Sequence, residues 1–187
     1  MTSPVKLHLG CGPVYIPGFI HIDANPHSHV DHVCSVDQLD HIADDSVDLV
    51  YACHVLEHFG RNEYQAVLTE WYRVLKPRGI LRLSVPDFAK TVKIYVERNL
   101  LVDGMMTIMG SLVGGQRDEF DYHKIVFDRK LLDQALGNAG FTSTRLWDWR
   151  DTEHAHIDDH SQAYLPHMDK ENGILMSLNM EAVKGSD

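Results

Sequence analysis

The sequence predicts an α/β fold: a doubly wound, mostly parallel sheet of seven strands with an antiparallel edge strand, in one domain over residues 1–187. Three observations carry this expectation. Short β-branched and leucine-rich runs alternate with segments of helical period, the pattern of parallel strands joined by crossovers. The first run, from Val5 to Leu9, stops in Gly10-Cys11-Gly12, so a buried strand turns where no side chain keeps a ligand from the backbone. The last two strand-like segments follow one another with no helix between them and should pair antiparallel at an edge.

Taken in order, strands are predicted at 5–9, 19–23, 30–34, 47–52, 79–85, 141–149 and 173–184, and helices at 62–75, 88–100 and 128–139. Only the nine residues 10–18 separate the first two strands, and they include Pro13 and Pro17. A parallel crossover usually takes a dozen residues or more. The first helix should therefore shrink to a turn and leave any ligand pocket open on that side.

Composition narrows the class. A chain of 187 residues can bury a core without disulfides or metals. The net charge of −10 argues against a nucleic-acid partner held through its phosphates, which needs a concentrated basic surface. Cys11, Cys34 and Cys53 lie in or beside predicted strands rather than at disulfide-framework spacings, which points to reduced thiols and a cytoplasmic protein. No apolar run approaches the roughly 18 residues of a membrane span, and the N-terminus lacks the apolar run of a signal peptide, so no membrane partner is expected.

The second strand ends in an acid, Phe19-Ile-His-Ile-Asp23, and a carboxylate there can accept bonds from both vicinal hydroxyls of a ribose. A dinucleotide site would also need a third glycine three residues after Gly12 and an acid about 20 residues on. Here Pro13 follows Gly12 directly, Tyr15 holds the third position, and Asp23 comes only eleven residues after Gly12. No Gly-Lys-Ser/Thr follows the turn either, which removes the P-loop reading. A nucleoside without phosphates fits best, and a nicotinamide oxidoreductase is disfavoured.

With these residues in place the chain resembles the class I S-adenosylmethionine-dependent methyltransferases, whose first motif is similar to Leu9-Gly10-Cys11-Gly12 with an acid ending the second strand. Asp44 to His58 resembles that family's fourth strand and the helix after it. Glu70 to Pro86 resembles its helix, Arg-Val-Leu-Lys-Pro-Gly-Gly turn and fifth strand, with Arg78 replacing the first of the two glycines. The match is strong over about residues 5–87. Beyond it, Asp121-Tyr122-His123-Lys124 and Ala139-Gly-Phe141 look like a subgroup of small methyltransferases with unassigned or glycan-related acceptors. The resemblance implies the class I methyltransferase fold, S-adenosyl-L-methionine as cofactor, and methyl transfer to a small-molecule or glycan-type acceptor, as O-methylation.

It also implies a residue set. Leu9, Gly10, Cys11 and Gly12 would meet the methionine part of the cofactor and Asp23 its ribose. Asp37 would lie near the adenine, with Asp40, Asp44 and Asp45 competing for that place. Cys53 and His54 follow strand four, where the chain passes the reactive end of the cofactor, and His54 is a candidate base. Glu57 and His58 lean towards a structural or cofactor-side role, with His58 also at the acceptor side. In the late insert Arg117 could hold an anionic acceptor and Tyr122 could line its pocket. His123 is the first candidate for general base, since an imidazole can take a hydroxyl proton near neutral pH.

Thirteen histidines raise the question of a metal, above all at His27, His29 and His32 and at His154, His156 and His160 with Asp158 and Asp159 nearby. Neither set matches a strong zinc spacing, and no metal is expected. A homodimer is admitted as the assembly. The rival reading is a non-catalytic S-adenosylmethionine-binding subunit that supports a partner enzyme.

Overall fold

A computed structural model describes residues 3–97 and 100–186. The main sheet is built from Lys6–Leu9 (β1), Ile20–Asp23 (β2), His32–Val33 (β3), Val47–Cys53 (β4), Leu75–Pro86 (β5), Phe141–Leu146 (β6) and, last in the chain, Ser177–Lys184 (β9). Tyr164–Leu165 (β7) and Ile174–Leu175 (β8) form a separate two-stranded ribbon. The helices are Tyr64–Val74 (α1), Phe88–Glu97 (α2), Met106–Val113 (α3) and Arg129–Asn138 (α4). Residues 98 and 99 of the predicted helix 88–100 lie outside the described residues. The sheet order is β3-β2-β1-β4-β5-β9-β6. β1 to β5 run parallel, and β9 pairs antiparallel with both β5 and the edge strand β6. The expected antiparallel pairing at an edge is there, with β9 inserted one place inside it.

One face of the sheet follows from alternation. Leu7 and Leu9, Val50 and Ala52, Leu81 and Leu83, and Met180 and Ala182 pack into one apolar core with Leu68 and Trp71 of α1 and Leu132 and Leu136 of α4. Apolar residues at 67, 68, 71 and 74 recur at helical spacing, so α1 buries a stripe against the strands. Asp128 caps α4 by accepting the Leu131 N–H at 2.7 Å.

The other face departs from the doubly wound pattern. It is covered by loops, because no helix forms among residues 10–19, as the two prolines and short length predict. Instead Ile16 and Phe19 fold under Tyr51 and Cys53. The Ile16 N–H, left without a helical partner, donates to Nε2 of buried His21 at 3.0 Å. Trp147 and Ile157 pack against the same cluster, and Tyr51 donates its hydroxyl proton to Asp159 at 2.6 Å. The strand residues beneath are His8, His21, Tyr51 and Arg82, and Glu181 is held between Arg82 and Arg145 at 2.6 Å from each.

The connection from β3 to β4 also lacks a helix, and α1 ties it down. Arg73 donates to the carbonyls of Ile42 at 2.9 Å and Leu39 at 3.0 Å, and Glu70 accepts the Leu39 N–H at 2.8 Å. Trp71 donates its indole N–H to the Val36 carbonyl at 2.9 Å. Arg78 sits at φ 66°, in the region that favours glycine. Among the described residues no helix is long and apolar enough to cross a membrane.

Candidate functional site

Strand order reverses between β1 and β4, and in open α/β sheets the crevice outside the carboxyl ends of the strands at such a point is where ligands bind. Two adjoining cavities open there. The first, about 800 Å³, is bordered by the ends of β1, β2 and β4 and by Ser35 to Asp37 after β3. The second, about 630 Å³, runs on past the ends of β4 and β5 under residues 158–168. They share Gly10, Gly12, Pro13, His54, His58, Arg117 and Asp121.

Gly10 must be glycine twice over. Its φ is +60°, and a Cβ would stand 2.5 Å from Val55 Cγ2. Gly12, at φ +51°, has nothing within 4 Å of a built Cβ, so its backbone faces open space at the cavity. Asp23 is buried and accepts the N–H of Gly12 and of Asn25, one on each oxygen, both at 2.7 Å. These bonds aim the carboxylate and leave each oxygen a further lone pair for a hydroxyl. A bare left-handed glycine turn beside a carboxylate aimed from the next strand fits a nucleoside with a flexible, phosphate-free tail.

Asp37 lines the first cavity and accepts from Ser35. Cys11 and Cys53 line the second. Burial, and then the charge of Asp23, push the Cys11 thiol up to about 12, so it stays protonated. Leu9 and Tyr122 line neither cavity: the Leu9 side chain is in the core, and Tyr122 is exposed and offers its carbonyl to His58. Arg117 borders both cavities, but its guanidinium is paired with Asp121 at 2.6 Å.

Where the cavities meet, four titratable side chains converge. His54 has φ 54°, a strained value for a non-glycine residue, and the following 3-10 turn Leu56–His58 presents Glu57 beneath it. Glu57 is 1% exposed, and neither carboxylate oxygen has a hydrogen-bond partner. Its Oε1 lies 3.4 Å from His54 Nδ1 and 3.8 Å from His123 Nε2. Burial raises the Glu57 carboxyl to about 8. Burial, and next the neighbouring His160, hold His54 well below its ordinary value, and burial also lowers His58 and His123. The imidazoles are therefore neutral at pH 7.

The two histidine sets singled out in the sequence do not come together as ligand groups. His154 is buried against Tyr51 and Phe19 with both ring nitrogens unpartnered. His160 stacks on His54 at 5.1 Å and lines the second cavity with Asp158 and Asp159. Glu57 and His160 are the site residues that sequence reasoning undervalued. The usable signal was local: His54-x-x-Glu57-His58 places three polar groups where a strand end enters a turn.

This sheet order, with one reversed strand beside the edge and a nucleoside-type cleft at the switch point, defines the class I methyltransferase fold. A family model described as a methyltransferase domain matches residues 15–83. Solved structures with this fold include an S-adenosylmethionine-dependent methyltransferase from Thermotoga maritima (14% identity, covering 98% of this chain and 84% of that one, TM-score 0.59). Another, from Archaeoglobus fulgidus, is 16% identical, with 97% and 86% covered and a TM-score of 0.58. A third is the Burkholderia thailandensis 1,6-didemethyltoxoflavin-N1-methyltransferase with bound 1,6-didemethyltoxoflavin and S-adenosylhomocysteine (17%, 97% and 72%, 0.57). No curated protein matches the chain by sequence. Over residues 15–83 the chain thus matches a methyltransferase-domain model, and its fold is the class I methyltransferase fold of these structures.

Proposed function

We propose that this domain transfers the methyl group of S-adenosylmethionine to an oxygen of a small-molecule or glycan-type acceptor. One observation carries the reading: a cavity with nucleoside-binding features opens, through a rim at Gly10, Gly12, His54 and His58, into a second cavity with its own polar lining. The cofactor, when bound, supplies an electrophilic methyl group, so the protein's work is positioning and proton handling. Gly10 and Gly12 would hold the amino-acid part through the backbone, Asp23 the ribose, and Asp37 would border the adenine. In the second cavity a hydroxyl acceptor must lose its proton as it attacks. His123, bordering that cavity with Glu57 behind it, is the group assigned to that proton, and His54 is the alternative.

The test is a turnover assay with methyl-labelled S-adenosylmethionine and a panel of sugars and small phenols, run beside calorimetry with S-adenosylhomocysteine. Binding with transfer to a hydroxyl supports the proposal. Binding without transfer to any acceptor class would favour the non-catalytic subunit, and absence of binding would overturn both.

A further inference from the structure

We infer that Glu57, His58 and His123 bind a divalent cation of the zinc class, at the wall of the second cavity. One ligand atom from each residue lies within 4.8 Å of the others, so a side-chain shift of an ångström or so brings all three within about 2 Å of a single ion. The tautomers point the same way. His58 Nδ1 is 3.1 Å from the Tyr122 carbonyl, and His123 Nδ1 is 3.3 Å from the Ser111 carbonyl. A carbonyl only accepts, so both Nδ1 atoms carry the proton and both Nε2 atoms keep a lone pair. Metal-bound histidines are typically oriented in this way, by a backbone carbonyl on the far nitrogen.

His54 adds a third imidazole. Ser177 donates its proton to the His160 carbonyl at 2.5 Å, so it can only accept from His54 Nε2 at 2.9 Å, and the Nδ1 lone pair is left facing Glu57. A fully buried carboxylate with no hydrogen-bond donor is thus surrounded by imidazole lone pairs. Such groups repel unless something positive sits among them. A proton on Glu57 answers one of these contacts, whereas a cation answers all of them. One carboxylate and two imidazoles favour zinc or a neighbouring first-row ion over magnesium, which prefers oxygen ligands.

Three protein ligands leave a coordination position open, as in catalytic rather than structural sites. His58 and His123 line the second cavity, so an acceptor oxygen would reach that position there. With His123 Nε2 bound to the ion, the cation itself would acidify the acceptor hydroxyl in place of a free imidazole base at His123; this last assignment rests on the methyl-transfer reading, whereas the cation site does not. The site departs from the expectation of no metal and uses neither histidine set that raised the question.

The experiment is equilibrium dialysis of the metal-stripped protein against zinc, with the bound metal counted, followed by cobalt(II) absorption spectroscopy. One zinc per chain is expected, and cobalt(II) loaded into the metal-stripped protein should give a visible band of nitrogen and oxygen ligation that zinc then bleaches. Glu57→Gln and His123→Ala should each weaken zinc by about 100-fold or more, since even supporting groups are worth 10–100-fold. S-adenosylhomocysteine affinity, measured on the same samples, should stay within a few-fold and so report an intact fold. A wild-type protein that takes up no zinc would overturn the inference. So would one ion per chain that survives both substitutions, which would place it elsewhere, such as at His27 and His29. If Glu57→Gln fails to fold, His58→Ala, outside the apolar core, gives the same reading. Failure of zinc uptake with normal S-adenosylhomocysteine binding would leave the methyl-transfer reading standing.

Discussion

Asp23→Ala is the sharpest perturbation of the proposed cofactor site. The carboxylate accepts the Gly12 and Asn25 N–H groups at 2.7 Å and keeps a lone pair on each oxygen for the hydroxyls of the proposed ribose. Removing it deletes hydrogen bonds to a charged group worth about 1.5–3 kcal/mol. At about 1.4 kcal/mol per factor of ten, the Kd for S-adenosylhomocysteine should rise by about 10–150-fold. The substitution also orphans two backbone donors, but they border an open cavity where water can replace the carboxylate. Stability should therefore fall by only about 1–2 kcal/mol, the low end for a lost partner. Asp23→Asn separates the two effects: an amide has one acceptor oxygen, so one backbone N–H would face its NH2 group. Calorimetry at 25 °C, with denaturant melts confirming that both variants remain folded, is the measurement. A folded Asp23→Ala protein with a Kd within about twofold of wild type would refute the reasoning and mean that another group holds the ribose.

Three further outcomes are expected. Gly10→Ala puts a Cβ 2.5 Å from Val55 Cγ2 at φ +60°; strain and overpacking together should cost about 2–4 kcal/mol in a urea melt. Adding Val55→Ala should recover only part of that loss, and full recovery would show that the backbone is not strained. His123→Ala should leave S-adenosylhomocysteine affinity nearly intact while methyl transfer falls by about 10²–10⁴; full turnover across pH would make His123 a loop residue. Burial, and then His21 and His154, hold His8 down at about 3. Below about pH 6.5 the unfolded chain binds a proton there that the folded chain refuses, so stability falls as pH drops from about 6.5 towards 3, by about 3 kcal/mol at pH 4. Replacing His8 by Phe should flatten that acid limb in melts between pH 7 and 4, and an unchanged slope would assign it to other groups.

Much of the fold was legible because its signals are local. β1, β2 and β4 read as strands from apolar runs of the right length, and Gly10 and Gly12 were marked by a turn that only glycine makes easily. The missing first helix could be counted from nine residues and two prolines. Other elements were invisible. Met106–Val113 folds as α3 although no helix was predicted there, and the predicted strand at 30–34 shrinks to His32–Val33, whose partner is one edge of β2. The 3-10 turns at Trp149–Asp151 and His160–Gln162 take their shape from the sheet face they cover.

The sequence by itself determined the strand that ends in glycine and the acid that ends the next one, which together point to a ligand with a ribose and no phosphate. These depend on neighbours a few residues apart. Only the tertiary structure decided that loops rather than helices close the second face, that β9 slips between β5 and β6, and that His123, from the segment after α3, reaches Glu57. Hydrophobic period and backbone geometry act along the chain, so they can be read from it. The meeting of a buried carboxylate with an imidazole from a distant insert is set by how that insert packs back on the strand ends, and no local pattern encodes that distance.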